Sequence, residues 1–334
     1  MLQFFTRRLA FLMFVVVGIT LLTFVISHII PADPAAVVAG PNAREEQIQE
    51  LRKLMKLDRP LHEQYLRYLT GLLRGDLGTS VRSHRPVRDH LSQLFPATLE
   101  LTLVAMILYT VVGVPLGILI AVRQGTWVDS LTRIAALAGV ALPEFWLALV
   151  LQLIFYRQLG WLPSGGRLDV MSSPPQQITG LYLVDSVLTL NGQTFVDSLR
   201  HLVLPAIALT MGRIATLIRI TRVSIIHILS QDYIRVARAK GLREWTIISH
   251  HALKNALVPI ITIIGLQVGW LLNGAVLVET VFSWPGVGQY AVTSISFLDI
   301  PAIMGVTLTV AVLFVLINLM TDFLYIVVDP RLRP

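Results

Sequence analysis

Long uninterrupted apolar runs limit what this chain can fold into. An α-helix needs about 20 mostly apolar residues to cross the hydrocarbon core of a bilayer. Six such runs occur, at about residues 9–30, 97–122, 134–156, 202–226, 258–281 and 305–328. With 54% hydrophobic and 14% charged residues, the chain is too apolar for an ordinary soluble enzyme. The sequence therefore predicts an all-α polytopic membrane protein with six transmembrane helices.

The distribution of basic residues predicts the orientation of these helices. Loops on the cytoplasmic side of a membrane carry an excess of lysine and arginine. The short connection at 123–133 is basic, whereas the connection at 282–304 contains neither lysine nor arginine. This pattern places both chain termini in the cytoplasm. The same rule accounts for the net charge of +7, so no nucleic-acid partner is expected.

A polar segment, residues 31–95, separates the first apolar run from the second. It holds ten Lys and Arg against eight Asp and Glu, but the charge rule weakens for loops longer than about 60 residues. Its pieces EEQIQELRKLMKL and LHEQYLRYLTGLL have apolar residues at helical spacing, as expected for amphipathic helices. We therefore expect an extracytoplasmic helical insert after the first helix, and a division of the chain into residues 1–95 and 96–334.

The stretch from Ser230 to Pro259 has the wrong composition for a membrane span. It lies between two apolar runs, yet its charged residues are Arg235, Arg238, Lys240, Arg243, Lys254, Asp232 and Glu244. It predicts two short amphipathic helices joined at Gly241, where the chain needs the positive φ that glycine adopts freely. Ser230 or Asp232 is expected to cap the first helix. A basic helical elbow at a membrane surface favours docking of a cytoplasmic protein or of lipid headgroups.

The same stretch reads DYIRVARAKGL, then eight residues, then HALKNALVP. It resembles the cytoplasmic coupling loop, or EAA motif, of bacterial ABC-importer permeases of the dipeptide, oligopeptide and nickel type. The matching positions are Ala237, Gly241, His251, Ala252, Leu253 and Pro259. Arg235 and Val236 stand where that motif has its glutamate and first alanine. The resemblance runs over the whole chain, through ADP at 32–34, GDLGTSVRSHRPV at 75–87, ETVFSWPGVG at 279–288 and DPRLR at 329–333.

The resemblance implies a type I ABC importer permease fold in the bacterial inner membrane, with a five-helix core in 96–334 and a coupling loop at about 230–256. The implied partners are a second homologous permease, two cytoplasmic ATPase subunits, an extracytoplasmic solute-binding protein and membrane lipid. The implied cargo is a short peptide, and the alternatives are nickel chelates, glutathione or another small solute. Segment 31–95 either caps the outer mouth or docks the binding protein. The implied ATPase-coupling residues are Arg235, Ala237, Arg238, Lys240, Gly241, Leu242 and Trp245.

Several kinds of chemistry are missing from the sequence. It contains no GxxxxGK[ST] phosphate loop, so ATP and Mg²⁺ are expected on the partner ATPase, and this chain is expected to bind no cofactor or metal and to be no enzyme. A stand-alone secondary transporter remains a remote alternative, but it would show internal repeats or broken helices. Neither is visible, since Pro115 and Pro143 fit ordinary kinks. An intramembrane enzyme would need a catalytic set, and the polar residues are scattered over four runs.

Two charged residues, Glu144 and Arg213, fall near the middle of apolar runs. At about 1.5 Å per residue, Glu144 lies roughly 16 Å from Arg133 and Arg213 roughly 18 Å from His201. Ionisable groups at that depth are expensive and are functional candidates. Three alternatives stay open from sequence: an ion pair that fixes helix packing, groups that line the path and meet the two ends of a peptide, or snorkelling of Arg213 to the lipid edge.

Overall fold

Helices account for nearly all the regular structure of the protein. The computed structural model describes residues 2–29, 34–39, 43–54, 57–127, 129–131, 134 and 142–328. The helices are α1 (Leu2–Ile29), α2 (Pro34–Ala39), α3 (Glu45–Leu54), α4 (Leu61–Leu73), α5 (Val87–Val122), α6 (Glu144–Leu151), α7 (Tyr182–Leu188), α8 (Gly192–Leu229), α9 (Asp232–Ala239), α10 (Glu244–Thr246), α11 (Leu253–Val281), α12 (Val287–Ser296) and α13 (Ile300–Val328). Two π-helical turns continue α6 and join α10 to α11, at Gln152–Gln158 and Ile247–Ala252.

Four described helical segments are long and apolar enough to cross a membrane: Val87–Val122, Gly192–Leu229, Glu244–Leu272 and Ile300–Thr321. A shorter apolar stretch, Phe11–Ile26, lies within α1. The all-α membrane fold is thus confirmed. The count of six spans stays a prediction, because residues 135–141 of the third run lie outside the described residues. The motif DPRLR at 329–333 and most of the motif ADP at 32–34 also lie outside the described residues.

The third predicted run differs from a kinked helix where it is described. Leu142 and Pro143 are not helical, and α6 begins at Glu144. Pro143 has φ −61° and ψ 137°, an extended conformation. It therefore precedes a helix, and the expectation of an ordinary kink at Pro143 is wrong. The reason is local, since the residue at the N-cap is non-helical and proline lacks the N–H that a continuing helix would need. Pro115, by contrast, lies inside continuous α5.

The chain forms two compact units, Met1–Pro96 with Gly286–Val315, and Ala97–Pro285 with Leu316–Pro334. In the first unit, Asp299 ties the turn before α5 to the start of α13. Its carboxylate accepts hydrogen bonds from the Ser80 hydroxyl, from the Val81 N–H at 3.1 Å and from the Ala302 N–H at 3.3 Å. One carboxylate thus satisfies donors of a turn and of a helix N-terminus.

The second unit packs around the apolar faces of α5, α6, α8 and α11. Its core includes Leu101, Leu147, Leu209, Leu271 and Trp284, all buried. The helix α8 begins where Asn191 accepts a hydrogen bond from the Thr194 N–H at 3.1 Å, which satisfies one of the unpaired donors of its first turn. The buried indole of Trp284 is also paired, since its Nε1 donates to the Ala97 carbonyl at 2.9 Å.

Two glycines one turn apart let α5 approach α8 closely. A Cβ built on Gly117 would lie 2.5 Å from Thr221 Cβ and 2.9 Å from the Ile218 carbonyl oxygen. A Cβ on Gly113 would lie 2.6 Å from a methyl group of Leu217. Pairs of small residues four apart bring membrane helices together in this way, because apolar side chains gain nothing by leaving lipid. The contact therefore depends on the missing Cβ atoms.

The substitution Gly117→Ala should destabilise the protein although alanine is the better helix former. Overpacking typically costs about 1–3 kcal/mol, and the obstacle here includes backbone. The matched control is Gly18→Ala in α1, where no atom lies within 4 Å of the added Cβ. The thermal melting temperature in detergent should fall for Gly117→Ala alone. Equal melting of the two variants would contradict the close approach.

Candidate functional site

The first candidate site is the elbow, residues 230–256, around Gly241. Helix α9 ends in a Schellman motif: the Leu242 N–H donates to the Ala237 carbonyl at 3.3 Å, and the Gly241 N–H donates to the Arg238 carbonyl at 2.9 Å. Gly241 has φ +78°, in the left-handed region that favours glycine. The predicted positive φ at Gly241 is confirmed, and it fixes the direction in which the chain leaves α9.

The two ends of the elbow differ from the sequence expectation. Gln231 occupies the N-cap of α9 without a side-chain cap hydrogen bond, so neither Ser230 nor Asp232 caps the helix. The Ser230 hydroxyl donates to the His227 carbonyl instead, at 2.7 Å. The second short helix is not separate, because the π-helical turn carries α10 into α11. Neither glycine nor proline interrupts the chain between residues 242 and 258, so the helix continues.

One face of the elbow is buried against its own chain. Ile234 is 0% and Ala237 8% exposed, and both belong to a cluster with Ile247 and the partly buried Leu229. Residues three apart share a face of a helix, so both point towards the second arm. Ala237 therefore lies largely inside the elbow, and its membership of the ATPase-coupling set stays a prediction. Its small size lets the two arms pack.

The exposed surface of the elbow carries both apolar and basic groups. Trp245 is 74% exposed. Also exposed are Tyr233, Arg235, Val236, Arg238, Lys240, Leu242 and Arg243. Large aromatic residues with basic neighbours are typical of protein interfaces. The Asn255 amide donates to the Tyr233 hydroxyl at 3.1 Å, which ties α9 to the start of α11.

An ion pair closes the elbow on its outer side. Arg238 Nε donates to Glu244 Oε1 at 2.7 Å and Arg238 Nη2 donates to Oε2 at 3.4 Å. These hydrogen bonds raise the pKa of Arg238. Because both side chains are exposed, the pair contributes little to stability. Its two-point geometry does restrict the angle between α9 and α10.

The second candidate site is the pair formed by Glu144 and Arg213. Arg213 Nε donates to Glu144 Oε1 at 3.3 Å, with the side chains 33% and 16% exposed respectively. The Arg213 guanidinium also lies over the Trp270 ring, 4.6 Å from its centroid. The structure thus brings together the two residues that the sequence singled out, on α6 and α8, and adds Trp270 from α11. Arg213 is paired, so the snorkelling alternative loses its basis.

Two glycines make room for the Glu144 carboxylate. A Cβ on Gly274 would lie 2.5 Å from Glu144 Oε2, and a Cβ on Gly212 would lie 3.3 Å from Glu144 Cγ. Sequence reasoning missed both glycines and Trp270. Their signal was present, since Gly212 adjoins Arg213 and Trp270 lies one helical turn before Gly274. The Glu144 carboxylate occupies a slot between α8 and α11. Any larger residue at Gly212 or Gly274 would fill this slot.

Sequence reasoning also missed two buried acids of the second unit. Glu100 accepts hydrogen bonds from Arg167 and from the Leu183 N–H, and Arg167 lies over the Tyr182 ring at 3.5 Å. Glu279 accepts from the Thr98 hydroxyl at 2.6 Å. Both acids lie inside the predicted apolar runs, close to one end of each. The first acid ties the 157–200 loop to α5.

Comparison with known proteins assigns a family to this arrangement. Residues 113–334 match the family described as binding-protein-dependent transport system inner membrane component. Residues 1–102 match the N-terminal part described for such membrane components. The chain belongs to this family. It is accordingly a multi-pass component of an inner membrane and a transport protein, as the sequence predicts.

Relatives in this family match the chain over its full length. The "Probable D,D-dipeptide transport system permease protein DdpB" of Escherichia coli K12 is 48% identical over 321 residues, 96% of this chain and 94% of that protein. The dipeptide transport system permease protein DppB of Alkalihalophilus pseudofirmus is 44% identical over 333 residues, 100% of both. The glutathione transport system permease protein GsiC of Salmonella paratyphi A is 37% identical over 333 residues, 100% of this chain and 99% of that one.

A solved member of the wider fold is the methionine ABC transporter MetNI in an inward-facing conformation. It matches with a TM-score of 0.50 at 18% identity, over 70% of this chain and 93% of that chain. At this identity the likeness concerns the fold alone. It confirms the predicted ABC-importer permease fold.

Removing either partner of the Glu144–Arg213 ion pair should destabilise the protein. Glu144→Gln and Arg213→Gln should each reduce the yield of monodisperse protein and its melting temperature. The loss of folding free energy should be smaller than the approximately 3–5 kcal/mol for breaking a fully buried pair, because Arg213 is partly exposed. The double variant should recover part of the loss.

The control for this prediction is Arg235→Gln, which removes an exposed ion pair with Asp232 and should change stability by no more than about 0.5 kcal/mol. Size-exclusion chromatography and thermal unfolding give the measurement. Normal folding of both single variants together with loss of transport would contradict a packing role for the pair and favour a place in the path.

Proposed function

We propose that this chain is the permease subunit of an ATP-driven importer for short peptides, delivered by an extracytoplasmic binding protein. The observation that carries the proposal is full-length identity of 42–48% to permeases named for dipeptide transport. The lower identity of 37% to a glutathione permease makes glutathione, itself a small peptide, the second candidate cargo. Nickel chelates and other small solutes rank below both.

The proposed assembly contains a second, homologous permease and two ATPase subunits, which bind ATP and Mg²⁺. In this assembly both termini of the chain and the elbow lie on the cytoplasmic side. The excess of lysine and arginine in 230–256 agrees with that side. The exposed surface of the elbow, including Trp245, docks the ATPase. Its tryptophan, tyrosine and arginine side chains support this role, since these residue types contribute most of the binding energy at protein interfaces.

Coupling in this proposal depends on the stiffness of the elbow. The Schellman motif, the Ile234 cluster and the Arg238–Glu244 pair hold α9 at one angle to α10. The second arm continues through the π-helical turn into α11, which contributes Trp270 to the pair site. A displacement of the elbow by the ATPase is therefore transmitted along α11 to the centre of the second unit, as alternating access requires.

The pair of Glu144 and Arg213 is the proposed polar contact of the substrate within the translocation path. Arg213 and Glu144 are partly exposed in the single chain, so each could exchange its partner for an end of a peptide, the carboxylate at Arg213 and the ammonium at Glu144. The exchange replaces one ion pair by two, which limits the desolvation cost of passage. Packing and path-lining are then two uses of the same contact.

Transport in proteoliposomes tests the proposed cargo. The chain, copurified with its partner permease, ATPases and binding protein, should accumulate a radiolabelled dipeptide only when ATP and Mg²⁺ are supplied on the ATPase side. Unlabelled dipeptide should compete, and nickel chelates should not. ATP-dependent uptake of glutathione but not of dipeptide would transfer the proposal to the second candidate. Uptake by the purified chain without any ATPase would contradict the importer assignment.

The substitution Gly241→Val tests the elbow as the coupling element. A β-branched residue at φ +78° is strongly disfavoured, so the angle between α9 and α10 should change. We expect normal membrane insertion, at least tenfold slower uptake, and ATP hydrolysis that no longer responds to the loaded binding protein.

The matched control for this substitution is Gly160→Val. Gly160 also follows a helix end with positive φ, +64°, and like Gly241 has no atom within 4 Å of an added Cβ. The Gly160→Val variant should retain normal uptake and ATP hydrolysis that responds to the loaded binding protein. Trp245→Ala, which alters the exposed face without changing the backbone, should weaken copurification of the ATPase. Normal uptake by Gly241→Val and normal copurification by Trp245→Ala would together remove the elbow from the mechanism.

A further inference from the structure

Helix α4 of the first unit is amphipathic in an uneven way. At about 100° per residue, its five leucines and two tyrosines cover an arc of roughly 160°. His62 is the one polar residue within that arc. The opposite side carries Glu63, Gln64, Arg67 and Thr70. An arc this wide needs cover on more than one side.

One half of the apolar arc is covered by the protein itself. The rings of Tyr65 and Tyr68 lie 5.3 and 6.4 Å from the ring of Phe24 in α1, and Ile300 and Met304 complete this cluster. The Tyr65 hydroxyl reaches further and lies 3.1 Å from Thr20 Oγ1. These contacts fix both the position of α4 along α1 and its rotation.

The other half of the arc is open within this chain. Leu66 is 58% and Leu73 89% exposed, and these two residues lie seven apart on one flank of the helix. Arg67, exposed and next to Leu66, points to the polar side. Two exposed leucines in one line favour an apolar neighbour outside the chain, and Leu61 at the start of the helix is likewise 58% exposed.

The position along α1 at which α4 packs identifies that neighbour. Helix α1 has 28 residues and is about 42 Å long. Its apolar run begins at about residue 9, so a hydrocarbon layer of about 30 Å that starts there ends near Ile29. Phe24 lies about 7 Å and Thr20 about 14 Å from the Ile29 end, so both lie inside the hydrocarbon and Phe24 is nearer its edge. A helix that packs on both residues meets acyl chains with its free flank.

We propose that α4 is an interfacial helix, lying in the membrane surface at the Ile29 end of α1. Leu66 and Leu73 are embedded among acyl chains, and Arg67 faces the phosphate groups of the lipids. The geometry is that of helices that lie in a bilayer surface, with a wide apolar face and a polar side that here carries Arg67. Part of the polar segment 31–95 is therefore a membrane anchor.

Spin labels at single cysteines test this proposal in the assembled permease. This chain contains no cysteine, so each label is unique within it. The labelled sites are Leu66→Cys and Leu73→Cys on the open flank, Thr70→Cys on the polar side, and Leu22→Cys as the lipid reference in α1. The protein is reconstituted in vesicles of phosphatidylethanolamine and phosphatidylglycerol. Collision rates with oxygen, which concentrates in lipid, and with a water-soluble nickel chelate are measured for each label.

Labels at Leu66 and Leu73 should collide several-fold more often with oxygen than with nickel, as at Leu22. The label at Thr70 should show the reverse. Nickel-dominated collisions at Leu66 and Leu73 would place the flank in water and overturn the proposal. Immobilised labels with few collisions of either kind would show a protein partner on the flank, and would overturn it equally.

Discussion

A hydrocarbon layer offers no hydrogen bonds, and the structure of this permease follows from that constraint. Each spanning segment must satisfy its own backbone, so the described part of the chain is almost wholly helical. An interruption is tolerable only where protein or water surrounds it. The break before Glu144 meets this condition, because α8 and α11 enclose the start of α6. The N-terminus of α6 carries partial positive charge, which stabilises the Glu144 carboxylate next to it, and Arg213 supplies the counter-charge.

The same constraint decides how the helices recognise one another. Apolar side chains lose nothing by facing lipid, so contacts between helices depend on close approach and on polar groups. Gly113 and Gly117 provide the close approach between α5 and α8, and Gly212 and Gly274 provide the slot for Glu144. The buried acids Glu100 and Glu279 add hydrogen bonds to these contacts. Small residues and acids thus do in the membrane what large apolar side chains do in a water-soluble core.

Sequence alone predicted what depends on one residue type or on long apolar runs. The spans follow from length and hydropathy, and the positive φ of Gly241 follows because glycine alone adopts it freely. Features that depend on tertiary contacts were not predictable. Ala237 is buried because Ile247, ten residues away, folds back onto it. The pairing of Glu144 with Arg213 could only be one of three alternatives until their positions across α6 and α8 were known.

The fusion of α10 with α11 has a mechanical consequence. From Glu244 to Val281 the helical path is about 55 Å long at about 1.5 Å per residue. Tilting such a rod by about 5° at its elbow end moves the far end by about 5 Å, nearly one helical pitch. The path contains the π-helical turn and Pro259, and these are two kinds of place at which long helices bend. Under the proposed coupling, the straighter this path is, the larger the displacement that a given tilt at the membrane surface produces at its far end.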